Sequence, residues 1–291
     1  LKQSGYANGV GLSGRAKPIT VRLQAAPVVY YSSNINGGNP NTAFILGGLD
    51  FSGDPKLVLK KGMLFGATAG LSGRNIYAEG RYLDFGLSTS YAHSPNHRIG
   101  VTDLDIGFCS KNHIKYFWHI DFCGSSSRAI KKIVDDTNRN ISVHVSKLFS
   151  LTPNIHHEAG LGFNLKSLKN YKQDQIHLNL ETITSSGILS KFKISFAERI
   201  QNNVASKHSL DWSLSKAWEH KNFMLSGNFN KFWDSKLFGQ PRQELSKSIT
   251  LNYGFGNGVS VGIGVTATDS NINYFRSTSP IFYANFSTVK F

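Results

Sequence analysis

Gln175-Ile176-His177-Leu178-Asn179-Leu180-Glu181 alternates without a break, every even position apolar and every odd one polar. A period of two sends successive side chains to opposite faces of an extended chain, so this stretch is a strand with one greasy face and one wet one. The rhythm returns downstream, where Phe192, Ile194 and Phe196 are set against Lys191, Lys193 and Ser195, and again where Leu210, Trp212 and Leu214 alternate with Asp211, Ser213 and Ser215. Upstream, Ile141, Val143 and Val145 alternate with Ser142, His144 and Ser146.

Extending this outward predicts about fourteen strands, each of the length that a tilted membrane-spanning strand requires. They fall near 19–32, 57–71, 76–92, 98–109, 113–124, 139–150, 154–167, 173–184, 188–201, 206–218, 220–232, 242–254, 258–268 and 280–291. Their connections alternate in length. Tight turns are predicted around Gly73-Arg74-Asn75, Ser110-Lys111-Asn112, Thr152-Pro153-Asn154, Ser185-Ser186-Gly187, Glu219-His220-Lys221 and Gly256-Asn257-Gly258, and the longest loops at 33–56, 125–138 and 269–279. Short turns on one rim and long loops on the other is the arrangement of bacterial outer-membrane barrels, with the turns and both termini periplasmic. The expected fold is therefore all-β, a transmembrane antiparallel up-and-down barrel over 18–291, preceded by a linker or a periplasmic or lumenal tail at 1–17.

Composition agrees. The 291 residues are 12% aromatic and only 17% charged, with 28 Gly, which suits strands and turns more than helices. Mean hydropathy is −0.23 and no apolar run approaches the roughly 18 residues of a membrane helix, yet neither fact bears on a barrel, whose strands are only half apolar. The polar faces are largely Ser, Thr, Gly, Asn and His, a wet lumen more than the charged exterior of a soluble sandwich. Closure also removes exposed strand edges. The formal net charge of +14 carries no helical basic stripe, which argues against nucleic acid. Outer-membrane lipids and anionic lipopolysaccharide are the partners it suggests. Leu1-Lys2-Gln3 opens no signal peptide, so the chain reads as a mature form or an excised domain.

With the apolar face against lipid, the opposite face is the lumen wall. Asp84, Asp103, Asp105 and Asp121 fall on it in the third to fifth strands and are expected to cluster near mid-height. Lys191, Lys193 and Arg199 fall on it in the ninth, and Arg22 and Lys290 where first and last strands meet. Such acidic and basic walls predict a lateral field that orients a polar or zwitterionic passenger. The aspartates lack a ligand-spaced loop, so no metal is assigned, and nothing in the pattern asks for a cofactor. Cys109 and Cys123, set on either side of a turn predicted at Lys111-Asn112, are expected to lie far apart and unbonded. His156 and His157, being adjacent, should point to opposite faces. Tyr30, Tyr31, Tyr82, Tyr91, Trp118, Trp218, Trp233 and Tyr253 are placed as an aromatic girdle.

No G-x-S-x-G motif occurs, and Ser94 beside His93 and His97 is the nearest approach to a nucleophile with a base, so the chain is not read as an enzyme. The terminal Phe291 on an amphipathic last strand resembles the signal recognised by barrel-insertion machinery.

Tyr31-Ser32-Ser33-Asn34-Ile35-Asn36-Gly37-Gly38, Asp269-Ser270-Asn271-Ile272-Asn273-Tyr274-Phe275 and the strand count together resemble the C-terminal barrel of the surface lipoprotein assembly modifier (Slam) family. The resemblance implies an outer-membrane translocation or assembly pore for exported protein or lipoprotein cargo. The alternative is a diffusion porin for small anionic or saccharide solutes, in which a loop folds inward to form a constriction; residues 33–56 are long enough for that.

Overall fold

The computed structural model describes residues 19–291 except 47, 220, 238, 256, 257, 287, 288 and 291. Strand β1 (Ile19–Ser32) is followed by a small hairpin, β2 (Ala43–Leu46) and β3 (Leu49–Ser52). Then come β4 (Gly62–Ala78), β5 (Arg81–Ser94), β6 (Ile99–His113), β7 (Trp118–Ile130), β8 (Asp135–Thr152), β9 (Ile155–Leu168) and β10 (Lys172–Thr184). The chain continues through β11 (Ile188–Ala197), β12 (Ala205–Trp218), β13 (Lys221–Leu237), β14 (Gln240–Phe255), β15 (Val259–Ser270), β16 (Ser277–Asn285) and β17 (Val289–Lys290).

β1 pairs with β4, each strand from β4 to β16 pairs with the next, and β16 and β17 both pair back onto β1. β16 and β17 are successive parts of one strand position, so the sheet is a closed antiparallel barrel of fourteen strands. Strands spaced about 4.8 Å and tilted about 40° give such a ring a backbone diameter of about 28 Å, too wide for wall side chains to fill.

Alternation decides which way the wall faces. Phe108, Ile141, Ile106, Leu161 and Phe122 are each more than half exposed, and all lie on the outward set of their strands. A water-soluble fold would bury such side chains; here they form a continuous outer band that only hydrocarbon suits. Trp118, Trp218, Tyr253 and Phe255 edge this band on the side of the short turns, with Tyr253 and Phe255 packed edge to face at 4.7 Å. Tyr31, Tyr91 and Trp233 face outward near the opposite rim. Two members of the expected girdle face the lumen instead. Tyr30 packs in a small internal core and Tyr82 lies under the Arg74 guanidinium, 4.1 Å away.

Several boundaries move. β4 runs through Gly73-Arg74-Asn75 to a turn at Glu79-Gly80, and β6 runs through Ser110-Lys111-Asn112 to a turn at 114–117. The expected 125–138 loop shrinks to 131–134, because β7 and β8 continue as paired strands beyond the apolar band. Moving the β6–β7 turn changes the register, and Cys109 comes directly opposite Cys123. The two are joined in a disulfide, which corrects the expectation that they lie far apart.

Candidate functional site

The lumen is the candidate site, and its two ends differ. At one rim the connections are tight; at the other, residues 33–61 form the longest segment between strands. This segment turns back into the barrel. The Asn34 amide closes a turn on Gly38, accepting from its N–H at 2.9 Å and donating to its carbonyl at 2.7 Å. Asn36 is buried and bridges to the far side of the segment, donating to the Val58 carbonyl at 2.8 Å and accepting from the Lys60 N–H at 2.7 Å. Between the two amides Ile35 is fully buried, in a cluster with Leu64, Ala92, Ile99 and Val101, with Tyr30 against it. All five neighbours belong to the inward set of β1, β4, β5 and β6. The segment is thus seated on the inner wall, where the only buried apolar cluster among the described residues lies.

Its flanks are tied down too. The Ile133 N–H donates to the Asn36 carbonyl and the Lys131 ammonium to the Asn34 carbonyl, while the Asn41 amide donates to the carbonyls of Asn273, Tyr274 and Arg276. Gly37, with φ +78°, lies so near Val134 that a Cβ would meet its methyl at 2.6 Å; only glycine fits. The segment therefore spans the mouth from the 271–276 loop to the 131–134 loop and narrows it from one side.

The opposite wall, β8–β14, carries no such cover among the described residues and is polar. One row of register runs through Ser146, Gly160, Asn179, Lys193, Asp211, Asn228 and Ser248. Asp211 accepts from the Asn228 amide, and the next inward row pairs Lys191 with Glu181 at 2.8 Å. Above them His144, Gly162 and His177 share a row, and the two imidazoles stack at 5.7 Å across the glycine. His144 shares a hydrogen bond with the Asn179 amide oxygen at 2.6 Å, and Asn164 reaches both Gln175 and His177 at 3.2 Å. Around Lys191, Lys193, Asp211, Ser213, Ser226 and Asn228 the wall forms a recess of about 460 Å³. Hydroxyls, amides and both signs of charge converge there.

The expected acidic cluster resolves differently. All four aspartates face inward, but Asp103 and Asp105 stand opposite Ser90 and Ser88, towards the loop rim, whereas Asp84 and Asp121 lie nearer the turns. Asp84 is held by Arg74 in a two-pronged ion pair at 2.6 and 2.9 Å, and Asp121 stands between Lys111 and His144. The carboxylates split into two levels because β5 and β7 start at Arg81 and Trp118, which puts Asp84 and Asp121 near the turn rim, whereas β6 starts at the loop rim with Ile99 and runs past Asp103 and Asp105 to His113. On the basic side, Lys191 and Lys193 are inward as expected, each beside an acid. Arg199 is not on a strand, since β11 stops at Ala197. Arg22 sits two residues from Gln24, which is the register partner of Lys290, so both belong to the β1–β17 seam. The walls are balanced mostly by neighbours on the same wall, not across the lumen. Phe291 lies outside the described residues, as does the 1–17 tail.

The recess members Glu181, Asp211 and Asn228 and the His144–His177 stack were not singled out from the sequence, although the alternation that placed Lys191 and Lys193 inward places them too. Ser94 faces inward with its hydroxyl unpaired, His93 is on the opposite face, and His97 bonds the Lys61 carbonyl at 3.0 Å, so these three form no catalytic relay. His156 and His157 do part to opposite faces, to Ser150 and to Thr182 with Phe149.

No family model matches this chain, and no curated protein does; nothing in these comparisons supports the resemblance to the surface lipoprotein assembly modifier family beyond the fourteen-stranded barrel. Among solved structures the chain is similar in outline to OpdK of Pseudomonas aeruginosa, crystallised with vanillate, at 7% identity and a TM-score of 0.49, covering 93% of this chain and 99% of that one. OpdQ of the same organism is 9% identical with a TM-score of 0.45, covering 94% and 98%. OccAB3 of Acinetobacter baumannii is 8% identical with a TM-score of 0.44, covering 93% and 99%.

Proposed function

We propose that this protein is an outer-membrane diffusion channel for small polar solutes, with its loop rim outward and its passage running along the β8–β14 wall. One observation carries this: residues 33–61 are seated on the inner wall by Ile35, which narrows a lumen that fourteen strands leave wide. A filled barrel would need no such constriction. The recess at Lys191, Lys193, Glu181 and Asp211 supports solutes that are rich in hydroxyls or carry both signs of charge, because acid and base stand on neighbouring strands.

A planar bilayer tests it. The refolded protein should give stable open steps, and deleting residues 39–57 should raise their conductance severalfold while strand content is kept. A folded barrel that stays closed in both forms would reject the channel.

A second reading, an assembly or translocation pore for exported protein, rests on the seam. Among the described residues β1 meets β16 only at Val28–Tyr31 with Phe282–Asn285 and meets β17 only at Gln24–Ala25, whereas it pairs with β4 from end to end. Such a pore would open sideways there. A cysteine pair locking Tyr30 to Tyr283 should leave small-solute conductance unchanged and block cargo release only if this second reading holds.

A further inference from the structure

The outer face of the barrel is as uneven as the inner one. On β7–β14 the outward face carries six cations towards the loop rim: Arg128 and Arg139, then Lys172, then Lys207 and Lys231, then Lys247. Arg139 continues the lipid-facing column of Ile141 and Val143, Lys231 that of Phe229 and Lys247 that of Ile249, whereas the outward Asp174 stands between Lys172 and the column of Ile176 and Leu178. The strands of the other half, β16, β1 and β4–β6, carry no outward Lys or Arg at that rim. Their outward residues there are Val29, Tyr31, Met63, Tyr91, His93, Thr102 and Thr278.

The cations are also grouped. Arg139 and Lys172 are the two register partners of Ser167, one from each side, so they flank a single hydroxyl on the outer surface. Lys207 and Lys231 both stand over the Trp233 ring, at 4.2 and 4.9 Å. Arg128 and Lys247 are already neutralised, by Asp135 and Asp269 at 2.7 Å each. What remains is two cation pairs at the upper edge of the apolar band, Arg139 with Lys172, which outnumber the neighbouring Asp174, and Lys207 with Lys231 beside an indole. Anions that meet such a site must lie in the membrane plane and be joined to acyl chains, because the face directly below it is hydrocarbon.

We propose that Arg139 with Lys172 and Lys207 with Lys231 form a half-girdle that binds the phosphates of an acylated, doubly phosphorylated glycolipid of the lipid A class in the outer leaflet. The proposal rests on the loop rim facing outward. Its chemistry is charge pairing of two cation clusters with two phosphates, and the Trp233 ring takes the interfacial position that aromatic residues favour.

The test compares the wild-type protein with a variant carrying Arg139→Gln, Lys172→Gln, Lys207→Gln and Lys231→Gln, and with a control carrying Lys147→Gln, Lys216→Gln and Lys221→Gln at the turn rim. Binding of purified bisphosphorylated lipid A to each in detergent is read by native mass spectrometry, with phosphate-free lipid A and inorganic phosphate as the other probes. Retained lipid A should fall about tenfold in the quadruple variant and stay unchanged in the control. Equal retention by all three proteins, equal retention of the phosphate-free lipid, or loss in the turn-rim control alone would each overturn it. Inorganic phosphate displacing the lipid at millimolar concentration would also overturn it, since the acyl chains would then contribute nothing. Conductance of the quadruple variant, expected to match wild type, separates failure of this site from failure of the channel.

Discussion

The half of the barrel made by β16, β1 and β4–β7 and the half made by β8–β14 share one continuous sheet and differ on both surfaces. Inside, the first half offers Tyr30, Leu64, Ala92, Ile99 and Val101, and the chain covers that apolar patch with its own Ile35. The second half offers His144, His177, Asn179, Lys193 and Asp211 and is left uncovered among the described residues. Outside, β16, β1 and β4–β6 carry only uncharged residues and His93 towards the loop rim, whereas lysine and arginine stand there on β7–β14. A closed barrel has no core to specify one interior, so the inner wall is free to be a binding surface for the chain on one side and for solute on the other.

The sharpest way to break this contrast is Ile35→Asp. A carboxylate placed in that apolar cluster without a partner costs several kcal/mol, enough to unseat the segment without touching the sheet. Conductance should rise severalfold and become noisy, while Ile35→Val, at about 1 kcal/mol, should leave it near wild type. If both variants conduct as wild type, the two halves do not differ in the way described.

Next in size is the disulfide of the covered half. Its loop of 14 residues predicts a loss of about 3 kcal/mol at most for the double substitution Cys109→Ser and Cys123→Ser, and the antiparallel ladder that already joins the two strands should reduce this. Thermal unfolding in detergent should show a lower midpoint with unchanged ion selectivity. A selectivity change would move the conducting path into the half assigned to packing.

Much of this was legible in advance, for a physical reason. Lipid imposes the period of two on every spanning strand, so strand number, facing and the inward placement of Asp84, Asp103, Asp105, Asp121, Lys191 and Lys193 follow from alternation alone. Beyond the apolar band that pressure ends. Arg74, Lys111 and the Ser125–Arg128 stretch look like turn sequence because their outward neighbours need not be greasy, although the backbone ladder continues through them. The misplaced turn at Lys111-Asn112 then misplaced Cys109 relative to Cys123. The inward fold of 33–61 did have a signal: a lone Ile between two Asn in a polar segment, repeated as Asn271-Ile272-Asn273, where Ile272 is also buried. Counterions such as Arg74 for Asp84 were missed because partners on adjacent strands are fixed by register, which the pattern of one strand does not contain.

A smaller effect sharpens the contrast in charge. A wall charge acts on a passing ion through water, where a unit pair at contact is worth about 1 kcal/mol and less with salt, so permeability ratios should move roughly two- to fivefold. Lys191→Gln with Lys193→Gln exposes Glu181 and Asp211 and should shift the channel towards cations. Asp103→Asn with Asp105→Asn, beneath the seated segment, should shift it towards anions by less. Reversal potentials under a salt gradient measure both. Equal shifts would mean that ions use both halves alike.

The smallest expected effect isolates one residue of the open wall. At Gly162 the β9 backbone passes between His144 and His177, and a methyl there would overlap the His177 ring. The obstruction is a side chain, not backbone, so the ring can swing away at little strain. What is lost is the stack with His144 and the contact with Asn164, about 1 kcal/mol together. The displaced imidazole has only the lumen to enter. Gly162→Ala should therefore barely move the unfolding midpoint yet lower conductance measurably, whereas Gly107→Ala, on the inner face of β6 where a Cβ would find nothing nearer than 3.6 Å, should lower neither. A fall in conductance at Gly107 but not at Gly162 would place the path on the wrong wall.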